Sequence, residues 1–224
     1  MSHAPIRLSV PPPFELWLVR LAPAADDAGL ELLDAHERAR SARFHFERDR
    51  GRYVAAHVAL RQLLAQRTGR AAASLVIEAG TYGKPYLAGA PGCAFSLSHS
   101  DELALVALAD DGEIGVDLER VRPLSDLEGL ERQCLTAGER HALDGLAPDE
   151  RSLAFLRRWT RKEACLKALG TGLHVEPSTF AVGPEAGPQK VCVSTISGPR
   201  DVQVQDIEVA PGWVGALARV TSSH

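Results

Sequence analysis

The sequence predicts an α+β fold built as two similar subdomains in tandem. Three observations predict it. The order strand, helices, several strands runs through the chain twice, with a seam near Gly112. Each half carries one long helical stretch, residues 48–67 and 149–169, and each stretch is followed by glycine. Several short β-rich runs then follow each helix, the element order of an α+β unit. The expected subdomains are residues 1–112 and 113–224. The repeat is one of element order only, with no repeated sequence.

In chain order, Phe14–Leu21 (FELWLVRL) reads as a strand. Asp34–Arg43 is charged and helix-prone. The 48–67 helix places Tyr53, Ala56, His57, Leu60, Leu63 and Leu64 at helical spacing, and Gly69 is a natural stop. Strands are expected at 74–78, 93–97 and 103–109. Asp110-Asp111-Gly112-Glu113 is a turn signal, so 103–109 should form a hairpin with the strand 114–121. Helices follow near 126–132 and 136–144, then the 149–169 helix, closed by Gly170 and Gly172. Strands at 179–182, 191–196, 202–209 and 213–220 end the chain.

Composition bounds the function. At 224 residues, 45% hydrophobic and 24% charged, the chain can bury roughly 70% of its unfolded surface, which excludes general disorder. A net charge of −4 gives no global argument for nucleic acid or membrane partners. The four cysteines lie far apart with no C-x-x-C pair, so free thiols in a reducing compartment are expected. The proline-rich start has no signal-peptide pattern, and no apolar run is long enough to span a bilayer. A cytoplasmic protein is the expectation.

Four places can do chemistry. In Ile114-Gly115-Val116-Asp117-Leu118-Glu119, strand alternation puts Asp117 and Glu119 on one face, roughly 7 Å apart along the chain. Two carboxylates so placed need a cation, for which Mg²⁺ is the natural candidate, or else they mark a solvated edge. On the 149–169 helix, Phe155, Trp159, Leu166 and Leu169 form an apolar stripe, with Glu163 and Lys167 four apart on its shoulder. Lys162 falls near the stripe's centre, so it either snorkels outward or meets an anion. Gly83-Lys84-Pro85-Tyr86-Leu87 and Phe95-Ser96-Leu97-Ser98-His99-Ser100 combine a restrained lysine with small hydroxyls around an imidazole. Such donors suit phosphate oxygens, although a structural histidine satisfies the same pattern. Finally, nine arginines oppose three acids between His36 and Arg70, while 101–119 holds seven acids and no base. That pairing matches a polyphosphate with a divalent ion, or a solvated arginine-rich helix face.

Taken together, G-K-P-Y-L, F-S-L-S-H-S, I-G-V-D-L-E, W-T-R-K-E-A-C-L-K (Trp159–Lys167) and the upstream R-F-H-F-E-R-D (Arg43–Asp49) resemble the 4'-phosphopantetheinyl transferases, in particular their Sfp-like subgroup. The resemblance covers roughly residues 35 to 180. It implies a pseudo-twofold pair of α+β halves with the active site between them. The implied reaction is transfer of the phosphopantetheine arm of coenzyme A to a serine of an apo acyl or peptidyl carrier protein, releasing adenosine 3',5'-bisphosphate. It implies Mg²⁺ on Asp117, Glu119 and Glu163, with Lys167 near the diphosphate. Glu163, directly or through a metal-bound water, is the expected base, and Lys167 the expected second catalytic residue. Arg40, Gly83, Lys84, Pro85, Ser98 and His99 are implied as coenzyme A contacts. Glu37 stands where some members carry a lysine for the 3'-phosphate, so Arg38, Arg43 or Arg52 is expected to compensate. A monomer with an internal pseudo-dimer is implied, docking its carrier through 130–146 with Leu130, Leu135 and Leu143, together with Arg151, Arg157 and Arg158. A non-catalytic module binding coenzyme A or a carrier protein on the same fold is the alternative reading.

Overall fold

In the computed structural model of the chain, residues 4–21, 27–184 and 187–221 are described. They fall into two compact units: Met1–Glu78 with Pro85–Asp111, and Ala79–Lys84 with Gly112–His224.

The first unit contains β1 (Ile6–Leu8), β2 (Glu15–Arg20), α1 (Asp27–Leu32), α2 (Ala35–Ser41), α3 (Glu47–Thr68), β3 (Ile77–Ala79, whose last residue packs with the other unit), β4 (Pro85–Leu87), β5 (Ala94–Ser100) and β6 (Leu103–Ala109). Its main sheet is antiparallel in the order β1-β2-β6-β5. Helix α3 lays Ala56, Leu60, Leu63 and Leu64 on Val19, Phe95 and Val106 of that sheet. It ends where Gly69 turns into the left-handed region at φ 69°, a conformation that costs glycine no Cβ clash. Helix α2 begins in a capping box, Asp34 and Glu37 each accepting from the other's backbone N–H. Both carboxylates also bind the fully buried Arg61, at 2.7 Å each.

The second unit contains β7 (Ile114–Arg120), α4 (Leu127–Cys134), α5 (Ala137–His141), α6 (Pro148–Leu169), β8 (Gln189–Thr195), β9 (Gly198–Ile207) and β10 (Trp213–Thr221). Its sheet runs β7-β10-β9-β8, all antiparallel. The two units share a topology. In each, the first long strand pairs with the last, the last pairs with its predecessor, and one 22-residue helix packs on the sheet. Helix α6 buries Ala164, Cys165, Ala168 and Leu169 against Val191, Val193, Val202, Val204, Ala216 and Ala218.

Several expectations are corrected. The 103–109 and 114–121 runs do not form a hairpin: β6 has β2 and β5 as its neighbours, and β7 pairs with β10 in a separate sheet. The Asp110–Glu113 turn therefore joins the end of one sheet to the start of another. The strand expected at 74–78 is a 3₁₀ turn at Ala72–Ser74 followed by β3, because Arg61 takes the Ala72 and Leu75 carbonyls at 3.0 Å each. The strand expected at 179–182 is also absent. Lys162 binds the Pro177 and Phe180 carbonyls, and the Val182 amide donates to Glu139 at 2.9 Å, so that backbone satisfies itself without a sheet. Leu135 and Leu143, expected on a docking surface, are core residues with 1% and 0% exposure, packed with Phe155 and Leu156. Of the expected docking arginines, Arg158 is buried and Arg151 forms a two-pronged pair with Glu131 at 2.8 and 2.6 Å. The segment 79–84, expected with the first subdomain, packs with the second unit. The cysteines are free thiols, and among the described residues no helix is long and apolar enough to cross a membrane.

Candidate functional site

The second unit brings the carboxylates and lysine together through one glycine. On β7, Gly115, Asp117 and Glu119 share a face. A Cβ added at Gly115 would lie 2.1 Å from the Ala164 carbonyl oxygen and 2.4 Å from the Ala168 amide nitrogen. Strand and helix backbones therefore touch there, and that close approach carries the last two turns of α6 past Asp117. The Lys167 ammonium donates to Asp117 Oδ1 at 2.6 Å, with the aspartate almost fully buried and the lysine about a third exposed.

Glu163 lies one turn before Lys167, on the same side of α6. Its carboxyl is raised above the ordinary range, first by burial and then by repulsion from Asp117, with a smaller push from Glu119 and partial relief from Lys167. The three carboxylates thus act on one another electrostatically, and Lys167 is the cation that partly offsets their repulsion. Among the described residues, no group of three or more His, Cys, Asp or Glu is arranged to hold a metal ion. The donors are nonetheless all carboxylate oxygens, a set suited to Mg²⁺. That ion takes one or two carboxylates, water and phosphate oxygens rather than a closed protein cage.

The structure decides the other lysines. Lys162 is fully buried and meets an anion: its ammonium lies 2.8 Å from Glu139 and 2.7 Å from the Pro177 carbonyl, over the Phe180 ring. Burial lowers its affinity for the proton, and Glu139 opposes that. Lys84, expected on coenzyme A, donates to the Ala168 carbonyl at 2.7 Å and the Ile114 carbonyl at 3.1 Å. The polar atoms it meets are protein carbonyls, which accept the same donors a phosphate would. Gly83, at φ 84°, closes the loop beneath it, its amide donating to the Gly80 carbonyl at 2.9 Å, and Pro85 opens β4 on the surface.

In the first unit, α2, α3 and β5 bring a cationic corner together. Arg40 stands 5.8 Å from the Tyr53 ring centroid, and the Tyr53 and His57 rings stack at 3.9 Å. His57 donates its Nδ1–H to the Tyr53 carbonyl at 2.9 Å. Burial pushes His57 down to about 4, with His99 and Arg40 adding to that and the hydrogen bond to Tyr53 opposing it. His99 is exposed at the end of β5, whereas Ser98 beside it is buried. Arg52 is bound by Asp101 at 3.1 Å, and Arg43 is exposed. Glu37 points inward to Arg61, so its acidic charge belongs to the interior of this unit. In the sequence, His57 reads only as part of the helix's buried face. Its position one turn after Tyr53, in an arginine-rich stretch, was the available signal.

Comparison with known proteins agrees with both units. The model of the 4'-phosphopantetheinyl transferase superfamily matches residues 113–218, and that of the 4'-phosphopantetheinyl transferase N-terminal region matches 24–111. The chain is 38% identical over 144 residues to the 4'-phosphopantetheinyl transferase HetI of Nostoc sp., covering 63% of this chain and 61% of that protein. It is 41% identical over 92 residues to the transferase AcpT of Escherichia coli K12, covering 41% and 47%. It is 26% identical over 162 residues to a 4'-phosphopantetheinyl transferase of Bacillus subtilis, covering 72% and 71%. The match thus spans less than two thirds of the cyanobacterial and enterobacterial relatives. With one superfamily's models matching nearly the whole of both units, and with the aspartate, glutamates and lysine of the motifs drawn together on β7 and α6, the chain belongs to the 4'-phosphopantetheinyl transferase superfamily.

Proposed function

We propose that this protein transfers the 4'-phosphopantetheine arm of coenzyme A to a serine hydroxyl of an apo acyl or peptidyl carrier protein, releasing adenosine 3',5'-bisphosphate. The observation that carries the reading is the Lys167 ammonium seated on Asp117 beside a Glu163 whose charge is disfavoured by burial and by its carboxylate neighbours. A family of this activity supplies the reaction class, and the motif resemblance to the Sfp-like subgroup belongs to this reading.

Asp117, Glu119 and Glu163 are the residues that would hold Mg²⁺, which when bound neutralises charge on the diphosphate oxygens. Lys167 supplies a positive charge to the oxygen that leaves, and Asp117 fixes its direction. The serine oxygen bonds to the phosphorus of the pantetheine phosphate as the bond to the adenosine bisphosphate oxygen breaks. The serine proton passes to Glu163 as general base, directly or through a water. In the first unit, Arg40, Ser98 and His99, with Arg43 and Arg52, are the donors for the coenzyme's 3'-phosphate. His57, held neutral, does not compete with them for that anion. Monomeric action in the cytoplasm belongs to this reading.

The test is incubation with coenzyme A, Mg²⁺ and a panel of apo carrier proteins, read by intact mass. Gain of the phosphopantetheine mass, lost on adding a chelator, is expected. Tight coenzyme A binding with no mass gain on any carrier would reject transfer and leave a binding module.

A further inference from the structure

The lysine of G-K-P has work in the protein that its motif does not disclose. Lys84 reaches one of the last-turn carbonyls of α6, Ala168, which no helical amide can satisfy, and the carbonyl of Ile114, the first residue of β7. A cation at a helix C-terminus is favourable in itself. Its stem lies on Gly170, where an added Cβ would come 3.0 Å from Lys84 Cδ, and Gly170 is the left-handed cap of α6. The same loop is held at a second point, with the Tyr82 and His174 rings 4.9 Å apart.

These contacts sit next to the reaction centre. Ala168 follows Lys167 directly, Ile114 lies three residues before Asp117, and Gly115 between them touches both Ala164 and Ala168. Whatever fixes Ala168 against Ile114 therefore fixes Lys167 against Asp117.

We propose that Lys84 is a positioning residue that clasps the end of α6 to the start of β7 and so holds Lys167 on Asp117, rather than a ligand of the coenzyme. The catalytic consequence rests on the transferase reading above, whereas the clasp itself does not. Burial brings Lys84 down to about 8, with Glu113 opposing, in keeping with an ammonium whose surroundings are carbonyls rather than a carboxylate.

The test uses the intact protein and the variants K84M and K84R. In K84M, amide hydrogen exchange of Leu166–Gly170 should quicken at least tenfold without ligand, kcat should fall at least tenfold, and KM for coenzyme A should stay within twofold. K84R, which keeps the cation, should recover part of both the protection and kcat. On the wild type, adding coenzyme A should leave the Lys84 side-chain resonances and their titration unchanged, a readout that does not depend on K84M folding. Unchanged exchange in K84M with a raised KM, or a Lys84 titration that moves up by a unit or more with coenzyme A, would overturn the proposal. If the wild type transfers nothing to any carrier, the exchange and titration results still decide the clasp, and only its catalytic consequence falls with the transferase reading.

Discussion

Lys167 Nζ stands 2.6 Å from Asp117 Oδ1 although the two residues are fifty positions apart and lie on different elements. The pair exists because Gly115 lets α6 touch β7. A surface ion pair is worth little, but here the aspartate is almost wholly buried, so the lysine's direction is set by its partner.

Asp117→Asn and Lys167→Met should each lower transfer at least a hundredfold, and the double variant should be no worse than the poorer single one, because the two residues act as a unit. Asp117→Asn should melt within a few degrees of wild type by circular dichroism, whereas Lys167→Met should melt lower, because it leaves the buried carboxylates without their cation. Additive losses in the double variant would show that the pair does not act together.

Gly115→Ala tests the close approach. Its Cβ would meet three backbone atoms of α6, none of which can rotate away. Overpacking of this kind costs roughly 1–3 kcal/mol or more, here at the upper end, and should move Lys167 off Asp117. Urea unfolding gives the first quantity and kcat the second. A variant as stable and active as wild type would mean that α6 has room to shift.

Arg61→Met should be severely destabilising. It removes a fully buried guanidinium from Glu37, Asp34 and the Ala72 and Leu75 carbonyls. An abandoned buried charge costs about 3–5 kcal/mol, so Arg61→Met with Glu37→Gln should be more stable than Arg61→Met alone. Denaturant midpoints of the two variants decide this.

His57 makes the first unit sensitive to acid. Its proton affinity in the folded protein corresponds to about 4, against 6.5 for an unperturbed imidazole. Between those values the unfolded chain binds a proton that the folded chain does not. Stability from this group is therefore full above pH 6.5 and is lost as pH falls toward 4. His57→Leu should flatten the dependence of unfolding free energy on pH in that window by up to one proton, measured against wild type in urea. An unchanged slope would mean that His57 is protonated in the folded state.

Local and periodic features were readable from the sequence by itself. The two 22-residue helices and their glycine caps, the shared face of Asp117 and Glu119, and the helical neighbours Glu163 and Lys167 follow from periods of 2 and 3.6 and from glycine's left-handed freedom. The motif resemblance gave the family, and the comparisons bear it out. Choices among distant partners were decided only by the tertiary structure. A lysine in an apolar stripe can snorkel or bind an anion, and folding brought Glu139 to Lys162. A lysine between glycine and proline is restrained but has no partner legible in sequence, and folding brought the Ala168 and Ile114 carbonyls to Lys84. Asp-Asp-Gly-Glu can close a hairpin or link two sheets, and β6 already had a neighbour on each edge. Leu135 and Leu143 could have been surface or core, and Phe155 and Leu156 cover them. In each case the side chain's own chemistry permits both outcomes. The free energy that separates them comes from groups tens of residues away, which no local window of sequence contains.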